Sequence, residues 1–593
     1  MRITKRITSF FMLLAYAIAI AGVALNLIHF LPFDLVKSAI RLLVLGKDAR
    51  AVTPDWLNRM AFAHTVIGVV LLATAVTLFV GRRSLTRIAL ELPAATGSFG
   101  RAILKRLRRA VRGEERLHLY VLGGVFLVAI VIRWAFLFEP IRHDEANAFT
   151  NFASRSFRKA LTYYSVPNNH VLHTGLVRIF FLVLGNEPWV LRLPALASGL
   201  LLVPASYLAV RRLYGREAAL IATGFVASSP ALINYSVNAR GYTLLILLFL
   251  LILFLATYLQ VRENACAWVV FALLSSLGFY TIPIFLYPFG IVWLWLFLSI
   301  LTGVVGRERV RLLTRWVGAG GLSGFVTLLL YLPIILREGW GPLIGNEYIG
   351  PGTWSAVRSS LPRVAAAVWK QWNAGLPSIV ALGFAVMALV AMILHWRISA
   401  CRIPVWAAMV LWLVPVPALQ RVVPPQRTWL FLLPVFYGLV SASVVYWGRL
   451  LPLRAGQHRH ALTALVAIAL ALILSLNDWS TGSVRNVVEG VFPQSREIIL
   501  FVKTRVQPGD KIAADFPASG SLRYYWNQLG FPDGYFANMQ ERADHLLVVA
   551  AKVPRQTPES VLAALKMSAA DYGVTREVKA FDTATVYEMD RVQ

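Results

Sequence analysis

The sequence predicts an all-α polytopic membrane protein that ends in a small α/β domain. Three observations lead there. Of 593 residues, 58% are hydrophobic and only 15% are charged, whereas soluble domains carry about 25% charged residues. Apolar runs long enough to cross a bilayer, about 18 residues or more, recur from residue 9 to residue 477. Beyond that point charges and turn dipeptides return. With 40 Gly, 29 Pro and 2 Cys, collagen-like, low-complexity and disulfide-scaffold classes are excluded.

The first apolar run, 9–31, follows the basic stretch Met1–Arg6. It is too long for the core of a cleaved signal peptide, so it is expected to be a signal anchor with its N-terminus in the cytoplasm. Further spans are expected near 60–80, 119–138, 190–210, 217–235, 243–260, 265–281, 284–303, 317–336, 376–395, 404–420, 428–447 and 461–477. Three regions follow: a two-helix membrane extension with a basic linker (1–116), a transmembrane domain of about 11 helices (117–477), and an extracytoplasmic α/β domain (478–593).

Charge tests this topology. Lys+Arg 58 against Asp+Glu 29 gives a net charge of +29, and in membrane proteins basic residues stay in cytoplasmic loops. The expected inside loops include 81–118, with ten Lys or Arg, and the turns at Arg211, Arg212 and Arg216, at Arg262, at Arg307–Arg315, at Arg397 and Arg402, and at Arg449–Arg459. Only 32–59, with five Lys or Arg, sits awkwardly outside. No nucleic-acid motif accompanies the basicity, so no nucleic-acid partner is expected. Cys266 and Cys401 fall at cytoplasmic span ends and read as inert small apolar residues. In the tail, Lys511–Phe516, His545–Ala551 and Thr583–Met589 read as strands and Pro558–Met567 as a helix.

The chemistry-bearing residues cluster in the expected outer loops. Arg142-His143-Asp144-Glu145-Ala146-Asn147 places two acids just past a span in a chain poor in acid. A carboxylate at the edge of low dielectric serves as a base; the plain alternative is two solvated loop residues. Further along come Asn168, Asn169, His170 and His173, with Asn168 in position to cap the next helix. Segment 171–185 is short for a span and reads as an interfacial helix. A metal set of His143, Asp144, His170 and His173 is an alternative reading, but the spacing does not force it and no metal or cofactor is assigned. Arg240 and Tyr242 lie between two spans, and Arg427 follows Pro424-Pro425. Such arginines face either lipid headgroups or a phosphate. Loop 337–375 carries Trp340, Glu347, Tyr348, Trp354, Trp369, Lys370 and Trp372 with Gly341, Gly345, Gly350 and Gly352. It reads as an aromatic belt or as a segment closing over substrate.

Several runs together resemble the N-terminal half of GT-C glycosyltransferases. They are His143-Asp144-Glu145-Ala146, Asn168-Asn169-His170, Leu184-Gly185, Trp189, Leu191-Arg192-Leu193-Pro194, Arg211-Arg212-Leu213-Tyr214-Gly215 and Ala239-Arg240-Gly241-Tyr242. Pro425-Gln426-Arg427-Thr428-Trp429 with Pro434 resembles the late-loop motif of those enzymes. The likeness covers roughly 117–450 and is nearest to glycosyltransferase family 39 and the bacterial aminoarabinose lipid A transferases. Many relatives carry a Pro pair where this chain has His170-Val171.

The resemblance implies a GT-C catalytic bundle in a bacterial inner membrane; the two extra N-terminal helices and the basic linker 81–118 lie outside it. It implies a hexosyl- or pentosyltransferase that uses a polyprenyl-phosphate sugar donor and a lipid, glycan or protein acceptor. Asp144 would be the base, Glu145 its assistant, and His143, Asn168, Asn169, His170, His173, Arg240, Tyr242 and Arg427 would line the substrate. Competing classes are a lipid-linked saccharide flippase and a non-catalytic envelope assembly protein. Transporters place ionisable residues mid-span; here the acids lie in a loop, which favours an enzyme. The topology is tested by cysteine labelling at position 144 in intact cells. A membrane-impermeant reagent is expected to react there, and labelling only after permeabilisation would invert the assignment.

Overall fold

The computed structural model describes residues 2–40, 61–112, 116–164, 167–260, 264–339, 341–344, 352–450, 457–485, 490–539 and 543–592. Outside these lie most of 32–59, Arg262, Trp340, Gly345, Glu347, Tyr348, Gly350 and much of the Arg449–Arg459 stretch. The chain is a multi-pass membrane protein. Each of the thirteen expected apolar runs falls on helix. Eight described helices are long and apolar enough to span, and a ninth is a bent pair, Arg216–Ser228 with Pro230–Ser236, turned by 59° at its break. Ala265–Thr281, Ser378–Ile393 and Val405–Gln420 are shorter than that test demands. The last of these is interrupted at Val414, where Pro415 starts a new turn. Apolar composition runs through such breaks, so run length overstates helix length.

The chain divides into two compact units. The first comprises Met1–Gly113, Leu255–Ser276 and Leu296–Gly350. Here Arg2–Leu27 packs along Ala61–Arg112, with Thr8 and Thr86 hydroxyls 3.0 Å apart across the pair. The second helix has 52 residues, hence about 78 Å at 1.5 Å per residue, more than twice an apolar bilayer core. The expected basic linker is therefore a helical continuation through Arg112. Asn264 ties it down, donating to Ala95 O (3.1 Å) and meeting Ser98 Oγ (3.0 Å).

The second unit comprises Glu114–Phe254, Leu277–Trp295 and Pro351–Gln593. Its membrane core joins Arg116–Leu137, Pro188–Tyr214, the bent pair and Gln457–Thr481 through Val125, Ala129, Val203, Ala227 and Ala471. The bend has a physical cause. Pro230 removes one backbone donor, and carbonyls near residues 226 and 227 lose their helical partners. Arg133, fully buried, supplies donors instead. It bonds Ala227 O (2.7 Å), Val226 O (3.4 Å) and Ser236 Oγ (3.1 Å). A charge in the bundle interior is thus held by backbone dipoles, as membrane proteins require. The expected long loop 337–375 is largely helical, with Trp354–Trp372 capped by Thr353 Oγ1 accepting from Ala356 N (3.2 Å). Its Trp369 and Trp372 pack on Phe436, so these rings lie on a helix and not in a free lid.

Residues 490–592 form a four-stranded sheet, β1 Lys511–Ala514, β2 His545–Ala551, β3 Arg576–Ala580 and β4 Ala584–Asp590, ordered β1-β2-β4-β3. β1 and β2 are parallel and joined through the helix Ala518–Gln528; the remaining pairs are antiparallel. The helices Ser495–Lys503 and Ala518–Gln528, and β3, were not expected from sequence; the other expected elements are present. This domain does not stand apart, because one hydrophobic core joins its Leu522, Tyr524, Tyr525 and Trp526 to Ile141, Ala146, Phe149, Val177 and Leu191.

Arg133→Leu strips the bend of its donors. It is expected to cost roughly 2–4 kcal/mol of stability, read as a fall in the melting midpoint of the detergent-purified protein. An unchanged midpoint would refute this role.

Candidate active site

The short helix His143–Ala148 begins just past the span Arg116–Leu137. Its two acids face opposite environments, because successive helical residues turn by about 100°. Glu145 points inward and has no exposed side-chain surface. Its Oε1 accepts from Arg142 N (2.8 Å) and from Arg192 Nη2, and its Oε2 from Arg192 Nε (3.1 Å) and Ala239 N (2.8 Å). Arg192 also donates to Leu137 O (2.7 Å), Glu139 O (2.6 Å) and Pro140 O (2.9 Å). Of the two parts expected of Glu145, assisting Asp144 or positioning it, the geometry favours the second: both oxygens are filled by protein donors, and the residue fixes the helix. Burial raises its pKa, yet Arg192 outweighs burial and holds the carboxyl below its ordinary range. With the folded value depressed, this stabilisation is full above the usual carboxylate range and fades as pH falls through the folded value.

Asp144 points the other way, and its side chain is 24% exposed. Oδ2 accepts from Arg240 Nη1 and from Arg427 Nη1 (3.1 Å). Burial pushes its pKa up, but Arg240 and then Arg427 pull harder, and the carboxyl lies below the usual range. Asn168 does not cap the next helix, Val171–Leu184, whose N-cap position is His170. Instead its Nδ2 donates to Asp144 O (3.1 Å) and secures the acid's backbone. Asn169 is buried and closes the helix Phe157–Thr162, donating to Ala160 O (2.9 Å) and Tyr163 O (2.7 Å). Those bonds make it a framework residue.

Arg240 sits in the tight turn between Pro230–Ser236 and Tyr242–Leu259. The turn is pinned on both sides of the arginine: Ala239 N reaches Glu145, and Gly241 N donates to His170 Nδ1 (2.8 Å). A Cβ at Gly241 would lie 2.7 Å from Thr281 Cγ2 and 3.2 Å from the Cβ atoms of both His170 and His173, so this position must be glycine. The Tyr242 ring lies 5.4 Å from the Arg240 guanidinium and edge-on to His170. Burial first and Arg240 second push His170 well below its ordinary value and His173 to about 3, so both are neutral. Arg427 opens the 3-10 turn Gln426–Leu432 after Pro424-Pro425; Trp429 Nε1 donates to Pro424 O (3.1 Å) and braces that corner.

The structure thus joins Asp144, Arg240, Tyr242, Arg427 and His170, with His173 beneath. His143 is elsewhere. Its Nδ1 accepts from Gly520 N (3.2 Å), its Nε2 meets Asn147 Nδ2 (2.8 Å), and its backbone N–H donates to Gly490 O (3.0 Å). It is a tether to the C-terminal domain. Its commitment also breaks the metal set with His170 and His173; among the described residues no group of three His, Cys, Asp or Glu is arranged to hold a metal. Sequence reading missed Arg192, Arg142 and the C-terminal contacts. Arg192 carried a signal, a charge inside an apolar run.

A crystal structure of ArnT from Cupriavidus metallidurans superposes with a TM-score of 0.51 at 12% identity, covering 78% of this chain and 97% of that one. The chain has the GT-C fold. The profile of the dolichyl-phosphate-mannose-protein mannosyltransferase family matches residues 171–336, a stretch that includes Arg192, Arg240 and Tyr242 of the GT-C bundle. Two further structures superpose with lower TM-scores. ArnT bound to undecaprenyl phosphate gives 0.48 at 16% identity, over 78% of this chain and 97% of that one. The oligosaccharyltransferase AglB from Archaeoglobus fulgidus, in complex with an inhibitory peptide and a dolichol-phosphate, gives 0.45 at 13%, over 69% and 63%. No curated sequence relative matches the chain.

Breaking the Glu145 pair from one side leaves a buried charge without its partner. Arg192→Leu is expected to cost roughly 3–5 kcal/mol, seen as a collapse of detergent-stable yield. Wild-type-like yield and melting would show that the pair does not hold this loop.

Proposed function

We propose that the chain is an integral membrane glycosyltransferase. It moves a sugar from a polyprenyl-phosphate carrier to a hydroxyl of a lipid, glycan or protein acceptor at the extracytoplasmic face. One observation carries the reading. Arg240 and Arg427 share the single carboxylate of Asp144, while His170 and His173 are neutral, so this cluster keeps one unbalanced positive charge beside an accessible acid. Such a charge suits a phosphate. The dolichyl-phosphate-mannose description of the matched family supports the same donor class.

In the proposed reaction the acceptor hydroxyl gives its proton to Asp144 as its oxygen lone pair bonds to the anomeric carbon. The bond from that carbon to the phosphate oxygen breaks, and its electron pair leaves with the lipid phosphate. Arg240 and Arg427 hold the negative charge that develops there, which is electrostatic stabilisation of the departing group. Tyr242 orients Arg240 through its ring. The single displacement inverts the anomeric centre. Glu145 and Arg192 contribute by holding Asp144 and the turn that carries Arg240.

Transfer from a radiolabelled polyprenyl-phosphate sugar in detergent tests this. Asp144→Asn is expected to lower the rate by about 10²–10⁴. Near-wild-type transfer by the folded variant removes Asp144 as the base. Translocation of labelled lipid across liposomes without any transfer replaces the enzyme by a flippase.

A further inference from the structure

We propose that the carrier phosphate and the Asp144 carboxylate compete for the same two guanidinium groups, so that donor binding releases Asp144 and only then lets it act as a base. This rests on reading Arg240 and Arg427 as the phosphate clamp. As arranged here, the two arginines converge on one oxygen, Asp144 Oδ2. A carboxylate gripped by two cations holds a proton weakly, and burial does not overcome that grip. The contact that would make Asp144 a poor base also fills the donors a phosphate needs. Both states of the site therefore turn on one set of hydrogen bonds.

Three features allow the exchange. First, the Nε of Arg240 and the Nε of Arg427 are buried without a hydrogen-bond partner. Each guanidinium keeps unused donor capacity, and a phosphate with several oxygens can take more of it than one carboxylate oxygen does. Second, the segments that carry the guanidiniums are held independently of Asp144: Arg240 by its pinned turn and the Tyr242 ring, Arg427 by the 3-10 turn that Trp429 braces on Pro424 O. Third, the Asp144 backbone is fixed by Asn168 and by the Glu145 bonds, so the side chain can swing without moving its helix. Its 24% exposure marks the open side. Once released, the carboxylate lies beside an anionic phosphate instead of two cations, which raises its affinity for a proton. Base strength then appears only when a donor is in place, and acceptor deprotonation follows donor binding.

Undecaprenyl phosphate binding to the full-length protein in detergent tests the exchange. Because Asp144 competes with the lipid, Asp144→Asn is expected to bind it about tenfold more tightly than wild type and to gain more in melting midpoint from it. Arg427→Gln is expected to bind it more weakly. Equal or weaker binding by Asp144→Asn overturns the exchange while leaving the phosphate clamp standing. Wild type that does not bind undecaprenyl phosphate at all overturns the clamp, and the exchange with it. If the Asn variant does not fold, wild-type protein treated with a carbodiimide and an amine replaces it. Released Asp144 is expected to label faster when undecaprenyl phosphate is added; unchanged or slower labelling overturns the proposal.

Discussion

The buried pair of Glu145 and Arg192 is the constraint on which the site depends. Neither side chain touches solvent, and removing either alone would strand a charge in low dielectric. Between them they bond the end of the first bundle span, the loop at 139–142, the helix Pro188–Tyr214 and the turn at Ala239. One ion pair thus sets the distance between the helix that carries Asp144 and the turn that carries Arg240.

Two adjacent carboxylates take opposite roles because the helix turns them apart. Glu145 meets four donors and has no accessible oxygen. Asp144 meets two arginines at an open edge. Separate environments are how two neighbouring titratable groups come to differ in acid–base character. The excess positive charge around Asp144 is costly in a partly buried place unless an anion shares it, which is the thermodynamic basis for reading the site as a phosphate clamp.

The C-terminal domain belongs to this arrangement more closely than its polar composition implies. Its helix Ala518–Gln528 packs against His143–Ala148. Gly520 approaches so near that a Cβ would lie 2.7 Å from His143 O. Tyr525 Oη accepts from Ile141 N (3.4 Å), and Tyr524 donates to Asn186 O. The domain therefore forms the far wall of the loop that positions the acid, and its apolar core is completed by membrane-proximal residues.

By itself the sequence determined the membrane class, the helical runs and the βα character of the tail, because hydropathy and periodicity are local properties of the chain. It also brought forward Asp144, Arg240, Tyr242 and Arg427, since charge is conspicuous in an apolar chain. Tertiary structure alone decided which acid is enclosed and which stands at an open edge, because that rests on Arg192, 47 positions from Glu145. It likewise gave His143, Asn168 and Asn169 their partners in the framework, at 520, 144, 160 and 163, which are chosen by packing, not by spacing. The bend at Ser229 and the length of the helix through Arg112 follow the same rule. Breaks and continuations are set by where donors such as Arg133 and Asn264 can reach, and that is a property of the folded chain.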